Sequence, residues 1–387
     1  MMGINEEINS GGVNVFIVAG ETSGDIIGAE LIRALLSAHE NMQITGCGGP
    51  HMRAAGQQQL IDLVKCAVVG LVEVIKHYPR LRSYFSATLN YIRKNRPDVI
   101  VLIDYPGFNI RLAQAIRKKW PRAKIVFYVS PQVWAWHASR AQVLARTVDL
   151  LISILPFEKE WYERHAPGLR VEWVGHPILD RLTIQYRRDI CVKLVGLLPG
   201  SRKKELENHL PLLIDVANQM YVRDPSLRFI WVAPDEERHQ YGLEIISPLR
   251  GNLPLTTIAG YSLTQLSRCE IALVASGTAS LECACVGVPQ IVFYQVNPIT
   301  YWAAKKFVKI RYVSMVNVLA NMPIITEFVG DRIDSRELAN AALSLLQHPV
   351  KQKAMMDRVQ EVVAKLGTPG VADRAAKLIL ELVDEAG

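Results

Sequence analysis

The sequence predicts an α/β protein of two doubly wound lobes facing a cleft, and three features of its 387 residues carry that prediction. Short, continuously apolar runs alternate with helix-like segments along nearly the whole chain. The alternation restarts after a polar, charge-dense stretch near 177–191, and several runs end in small-residue turns that lead straight into a helical pattern. Runs apolar on both faces suit parallel strands covered by helices on either side.

Taken in order, "NVFIVAG", "DVIVLID", "KIVFYVS", "LLISILP" and "RVEWVG" read as the strands of a first lobe. Between them "IIGAELIRALLSAH", "FNIRLAQAIRKKW" and "RAQVLARTV" carry apolar residues at helical spacing. The second series runs "LVGLLPGSR", "LRFIWVAP", "LTTIAG", "IALVASG" and "PQIVFYQV". Residues 1–180 are expected to form the first Rossmann-like domain and 190–345 the second. Residues 346–387 read as terminal helices broken between Gly367 and Gly370, either packing back on the first lobe or exchanged in a homodimer.

Composition excludes several classes. Half of the residues are hydrophobic, too many for a disordered chain, and the formal charge of +7 suits an anionic partner: nucleic acid, a phosphorylated metabolite or an anionic membrane. The six cysteines, at 47, 66, 191, 269, 283 and 285, show neither a CxxC pair nor a zinc spacing, so a reducing cytoplasm and no metal are expected. The opening "MMGINEEINSGG" is polar and acidic, unlike a secretory signal, and reads as a frayed tail. Residues 283–304 are uncharged but hold two prolines, and read as helix end, strand and loop rather than a membrane span. The sequence lacks GxxxxGK[ST], and the glycines of the first turn fall at 20, 24 and 28 rather than as GxGxxG, which argues against an NTPase or a conventional NAD enzyme.

The turns are where chemistry concentrates. In "LLPGSRKKE", Gly200 and Ser201 make a turn and Arg202 stands at a helix start, so N–H dipoles and a guanidinium can converge on phosphate; an ordinary loop with solvated basic residues fits this stretch equally. In "ASGTASLE", Ser276, Gly277 and Thr278 precede a helix carrying Glu282, which either accepts from ribose hydroxyls or caps its helix. Two phosphate-competent turns in one lobe point to a nucleoside diphosphate, and a sugar nucleotide fits best. In "VLIDYPGFN", Asp104 ends a strand where doubly wound sheets bind ligands. A carboxylate there either takes a proton from an attacking sugar hydroxyl or serves as a turn carboxylate.

Basic residues crowd unevenly: residues 76–124 hold twelve Lys or Arg against two Asp. The segment "TYWAAKKFVKIRYV" sets Lys305 and Lys306 beside Trp302 and Phe307, a mixture suited to an anionic membrane surface, to single-stranded nucleic acid, or to a solvated helix face. No RNA-binding or zinc-finger signature supports nucleic acid. "CAVVGLVEVIKHYPRL", residues 66–81, is amphipathic, and its Val69, Leu71, Val72, Val74 and Ile75 either meet acyl chains or pack into a core.

Together these stretches resemble the lipid-A-disaccharide synthase family. The matching segments, in the family's order, are "AGETSGD", "GCGGPHM", "VVGLVEVIKHYPRL", "IDYPGFN", "YVSPQVWAW", "LPFEKEWY", "VGHP", "LLPGSR", "ASGTASLE" and "YVSMVNVLA". The resemblance implies a type B glycosyltransferase fold, UDP-diacylglucosamine as donor and diacylglucosamine 1-phosphate (lipid X) as acceptor. It further implies an inverting β-1,6 transfer releasing UDP, without cofactor, metal or nucleic acid, at the cytoplasmic face of the inner membrane. By position, Asp104 takes the place of the family's first-lobe aspartate, Arg202 that of the PGSR arginine and Asn317 that of a second-lobe functional asparagine. Ser276, Gly277, Thr278 and Glu282 take the nucleotide side. Glu21, Ser23, Gly24 and Asp25 would then face the acceptor. Three positions depart from the pattern: Gly107 where some members carry aspartate, His137 where Lys or Arg is frequent, and Gly330 where a glutamine is common. A transferase or epimerase acting on a soluble sugar, and a non-catalytic nucleotide-sensing protein, are the competing readings.

Overall fold

The computed structural model describes residues 12–385 except 40, 67–70, 183–192, 261–262, 297 and 299–310. The chain divides into two compact units, one running to Asp180 and resuming at Leu366, the other spanning Arg181–Lys365. Each unit is built on one sheet of parallel strands, and helices join successive strands.

The strands of the first unit are β1 (Val13–Ala19), β2 (Met42–Gly48), β3 (Gln58–Asp62), β4 (Val99–Ile103), β5 (Ile125–Tyr128), β6 (Leu150–Ser153) and β7 (Val171–Trp173), ordered 3-2-1-4-5-6-7. Those of the second are β8 (Leu194–Leu198), β9 (Arg228–Ala233), β10 (Leu255–Ala259), β11 (Ile271–Ala275), β12 (Gln290–Gln295) and β13 (Glu327–Gly330), ordered 10-9-8-11-12-13. Each order reverses once, at β1/β4 and at β8/β11, and the carboxyl edge beside such a reversal is where open α/β sheets bind ligands. Register sharpens the point. Ala19 pairs with Ile103 and Leu198 with Val274, so the strands flanking each reversal end nearly level and their turns leave side by side.

The strands are continuously apolar because both faces are covered. β4, β5, β6 and β11 are buried at every position, and separate apolar clusters fill the two sides of the first sheet, around Ile17, Val101 and Tyr128 on one and Phe16, Leu102 and Phe127 on the other. The second unit is centred on Trp231, Phe229 and Phe293. The last helix, Val371–Asp384, lays Val371, Ala375, Ala376 and Ile379 into the first unit's core beside the helix Thr22–Ala38. Asp180 caps it by accepting from the backbone N–H groups of Gly370, Val371 and Ala372 at 2.6, 3.1 and 3.0 Å, and the Arg374 guanidinium donates to the Val174 carbonyl. Burying each large aliphatic side chain contributes about 1.5–3 kcal/mol, so this helix is an integral part of the first unit.

Candidate functional site

At the β1/β4 reversal the backbone is strained. Asp104 and Tyr105 follow β4 with φ of 47° and 49°, and Val129 follows β5 with φ of 64°. Left-handed φ is disfavoured for any side chain with a Cβ and most of all for a β-branched one, at about 1–3 kcal/mol per residue. All three stand at the carboxyl ends of neighbouring strands. Gly20, at the end of β1, is glycine because a Cβ there would overlap the Tyr105 ring, which also stacks on Phe108 with centroids 5.8 Å apart. Asp104 is half-buried at this edge.

The remaining residues of the opening turn separate into two roles. Glu21 stands in extended conformation at the head of the helix Thr22–Ala38, and it and Ser23 are partly exposed. Gly24 is buried beneath them, against Ala19 and Ile103. Asp25 is fully buried and faces inward: its carboxylate accepts from the backbone N–H groups of Gly49, His51 and Met52 at 2.8, 2.9 and 3.0 Å. It holds the start of the helix Pro50–Ala54 against the first turn, and its oxygens are committed to that task rather than to a ligand.

Beside β5 and β6 lies a buried polar network that single-sequence reasoning did not pick out. Glu158, 0% exposed, accepts from Trp134 Nε1 at 3.1 Å and from the Leu155 backbone N–H at 3.2 Å. Ser130 Oγ donates to the Tyr162 hydroxyl at 3.1 Å. The network ties residues 130–136 to the helix Glu158–His165. Burial pushes the Glu158 carboxyl up from 4.5 to about 7, outweighing the lowering by the hydrogen bonds it accepts. Between those two values the folded protein keeps a proton that the unfolded chain has released. Glu158's contribution to stability therefore falls as pH rises through that window, by at most about 1.4 kcal/mol per unit. Glu158→Gln is expected to remove this dependence, so the Tm of the Gln variant relative to wild type should climb between pH 5 and 8; parallel Tm curves would show that the carboxyl does not titrate there. The one sequence signal was the mixture of Glu158 and other charged residues with Leu, Phe, Trp and Tyr in "LPFEKEWY".

In the second unit, the turns after β8 and β11 emerge together at the reversal. Gly200 takes a φ of 106°, and a Cβ there would run into Glu205. Glu205 Oε2 accepts from the N–H groups of Ser201 and Arg202 at 2.9 and 3.1 Å, while Oε1 lies 3.3 Å from Arg202 Nη1. The amides of Ser201 and Arg202 are therefore already taken by a carboxylate, and the Arg202 guanidinium, with its side chain 41% exposed, is the group that faces outward. His209 supports the turn from below. Fully buried, it places Nδ1 2.6 Å from the Pro199 carbonyl oxygen and Nε2 3.0 Å from that of Gln295, joining the ends of β8 and β12.

The turn after β11 is open. Ser276 Oγ donates to the Val313 carbonyl at 2.9 Å, whereas Gly277 and Thr278 are exposed and a Cβ on Gly277 would meet nothing within 4 Å. Glu282 lies buried one turn into the helix Thr278–Cys285. Its neighbours Cys283 and Cys285 are thiols, not thiolates: burial holds Cys283 well above the ordinary value and pushes Cys285 up to about 12.

Asn317 belongs to the frame of this site. Fully buried, its Nδ2 donates to the Ile325 carbonyl at 2.7 Å and to Glu327 Oε1 at 2.8 Å, and its Oδ1 accepts from the N–H groups of Ile324 and Ile325 at 2.9 and 2.8 Å. Glu327 in turn accepts from Val313 and Ser314 N–H. This latch sets the 313–314 segment against Ser276, and the amide has no capacity left for a nucleotide. Asn317→Ala, which orphans these groups, is expected to cost about 3 kcal/mol and lower Tm by roughly 6–12 °C; an unchanged melting curve would contradict the latch.

Two turns with small residues and an outward guanidinium in one unit, and a strained carboxylate in the other, are parts suited to glycosyl transfer from a nucleotide. Comparison with known proteins decides the family: a family model described as lipid-A-disaccharide synthetase matches residues 15–381. The chain belongs to the lipid-A-disaccharide synthase family. It is thereby a glycosyltransferase of lipid A biosynthesis. Among its relatives, the lipid-A-disaccharide synthase of Trichlorobacter lovleyi is 34% identical over 96% of this chain and 98% of its own length. That of Azotobacter vinelandii is 35% identical over 97% and 100%. Solved structures agree on the fold. The S. aureus MnaA–UDP co-structure superposes with a TM-score of 0.65 at 12% identity, covering 96% of this chain and 97% of that one. The calicheamicin glycosyltransferase CalG4 gives 0.60 at 13%, covering 97% and 99%. The fold is the two-sheet α/β fold of type B glycosyltransferases.

For a lipid-A-disaccharide synthase, the three departures from the family pattern have distinct settings. Gly107 is exposed with open space about its Cα, so an aspartate would meet no obstacle. His137 is exposed, and Gly330 is buried at the end of β13. Val69, Trp302, Lys305, Lys306 and Phe307 lie outside the described residues. Leu71, Val72, Val74 and Ile75 open the helix Leu71–Asn95, with their side chains outside the description. No helix among the described residues is long and apolar enough to cross a membrane.

Proposed function

We propose that this lipid-A-disaccharide synthase transfers the diacylglucosamine of UDP-2,3-diacylglucosamine to the 6-hydroxyl of lipid X. The products are the β-1,6 disaccharide 1-phosphate and UDP. The observation that carries the reading is Asp104, a carboxylate on strained backbone at the strand reversal of its sheet, in a chain of this family. Asp104 takes the proton of the acceptor hydroxyl as that oxygen attacks the donor's anomeric carbon, and the bond to UDP breaks with inversion. The second unit holds the donor. Arg202 and the open turn at 276–278 receive the diphosphate, and the guanidinium stabilises the charge that grows on leaving UDP. Glu21 and Ser23 belong to the acceptor side.

The enzyme works as a peripheral protein on the anionic cytoplasmic face of the inner membrane. The amphipathic stretch 66–81 and the aromatic-basic segment 300–313 support this part of the reading.

Thin-layer separation of a reaction with UDP-diacylglucosamine and radiolabelled lipid X tests the transfer. A labelled disaccharide phosphate is expected. Absence of product from folded enzyme, or equal use of an acceptor without acyl chains, would overturn the proposal. Co-sedimentation should be strong with vesicles containing anionic lipid, weaker as salt rises, and weak with neutral vesicles; equal sedimentation with both would overturn the electrostatic part.

A further inference from the structure

The Asn109 side chain holds the turn that carries Asp104 from behind. Asp104 and Tyr105 are consecutive left-handed residues, each with a Cβ. The Asp104 N–H donates to the Tyr128 carbonyl at 3.0 Å, and the N–H groups of Phe108 and Asn109 donate to the Tyr105 carbonyl at 3.1 and 3.0 Å. Asn109 Nδ2 donates to the carbonyls of both Ile103 and Asp104, at 3.1 and 2.8 Å. Because one nitrogen binds the two oxygens, the peptide planes on either side of the Asp104 Cα are fixed relative to each other. The direction of its Cα–Cβ bond is fixed with them.

Asn109 is fully buried, and its Oδ1 finds no partner among the described residues. A buried amide with an unsatisfied oxygen is costly, by about 1–3 kcal/mol. An aliphatic side chain would avoid that cost, so the two N–H donors are what the position requires. Helix propensity does not call for them either, since asparagine is a poor interior helix residue and Asn109 lies within the helix Pro106–Lys119.

We propose that Asn109 is the positioning residue that aims the Asp104 carboxylate, by clamping the carbonyls on both sides of a left-handed turn. The assignment rests on the reading of Asp104 as the base. Asn109 touches no substrate; its contribution is to keep the carboxylate in reacting geometry, so its loss falls on kcat rather than on binding.

The test compares full-length enzyme with Asn109→Leu, Asn109→Asp, Tyr105→Gly combined with Asn109→Leu, and Asp104→Ala, normalised to folded protein by thermal melting. Asn109→Leu is expected to lower kcat 10- to 100-fold with both KM values within about twofold. Asn109→Asp, whose carboxylate repels the two carbonyl oxygens, should lower it at least as far. Glycine at 105 takes the left-handed φ without penalty, so the double variant should recover at least a threefold part of the lost kcat. Wild-type kcat in Asn109→Leu beside an inactive Asp104→Ala would overturn the role of Asn109 alone. A loss that tracks only the folded fraction, with no recovery in the double variant, would also overturn it. Should Asn109→Leu not fold, Asn109→Asp with and without Tyr105→Gly carries the same comparison. Full activity in Asp104→Ala would instead overturn the reading of Asp104 as the base.

Discussion

Asp104→Asn is expected to lower kcat by about 10²- to 10⁴-fold, the usual contribution of a general base, while the KM for each substrate stays within a few fold. The substitution is chosen to isolate the proton-accepting oxygen. Asparagine has nearly the same shape, and it tolerates left-handed φ about as readily as aspartate does. The strained turn against Gly20 and Phe108 should therefore survive. What is lost is the ability to take the proton of the attacking hydroxyl. Steady-state kinetics with both substrates varied would show the loss in kcat and in kcat/KM alike, the mark of an interaction made only in the transition state. A variant that keeps wild-type kcat would remove Asp104 from the chemistry and leave the left-handed pair as a purely structural turn.

The second large effect is expected at Arg202. Charge-assisted hydrogen bonds from a guanidinium contribute about 1.5–3 kcal/mol, and each 1.4 kcal/mol is about tenfold. Arg202→Ala should thus weaken UDP and donor binding by roughly 10- to 150-fold and leave the acceptor KM nearly unchanged. The structure explains why the loss concentrates there. The backbone amides of Ser201 and Arg202 already donate to Glu205, so the proposed contact to a diphosphate at this turn rests on the side chain. Arg202→Lys should recover only part, since an ammonium lacks the planar fork. Calorimetric titration with UDP measures the change directly. UDP affinity unaltered in Arg202→Ala would move the diphosphate elsewhere, with the open turn at 276–278 the next place to test.

The turns of this candidate site could be read from the chain alone, and the reason is locality. A strand ending in "AG", "ID", "LPGSR" or "ASG" and running into a helix is a pattern within about ten residues. Residues whose roles depend on which way a side chain turns were less accessible. Asp25 and Asn317 stand in motif-like surroundings, yet both are spent inside the protein, on amides 24 to 27 and 7 to 8 residues away. Nothing in "GETSGD" or "SMVNVLA" announces which way a side chain turns, because burial is set by the layers that close over it. His209 offered even less signal: a histidine on a helix is unremarkable until the ends of β8 and β12 are brought together around it.

By itself the sequence determined the alternation of strand and helix, the restart that makes two units, and the turns that lie at the carboxyl ends of their strands. Apolar period and turn chemistry are properties of neighbouring residues and need no fold to be visible. Only the tertiary structure decided the strand order that sets the turn at 20–21 beside Asp104 and the turn at 199–202 beside Ser276. It also decided the left-handed backbone at Asp104 and Tyr105 and the burial that raises Glu158. Those are consequences of strand pairings, 84 residues apart at β1/β4 and 76 at β8/β11, and of desolvation by a packed interior, and each exists only once the sheet has assembled.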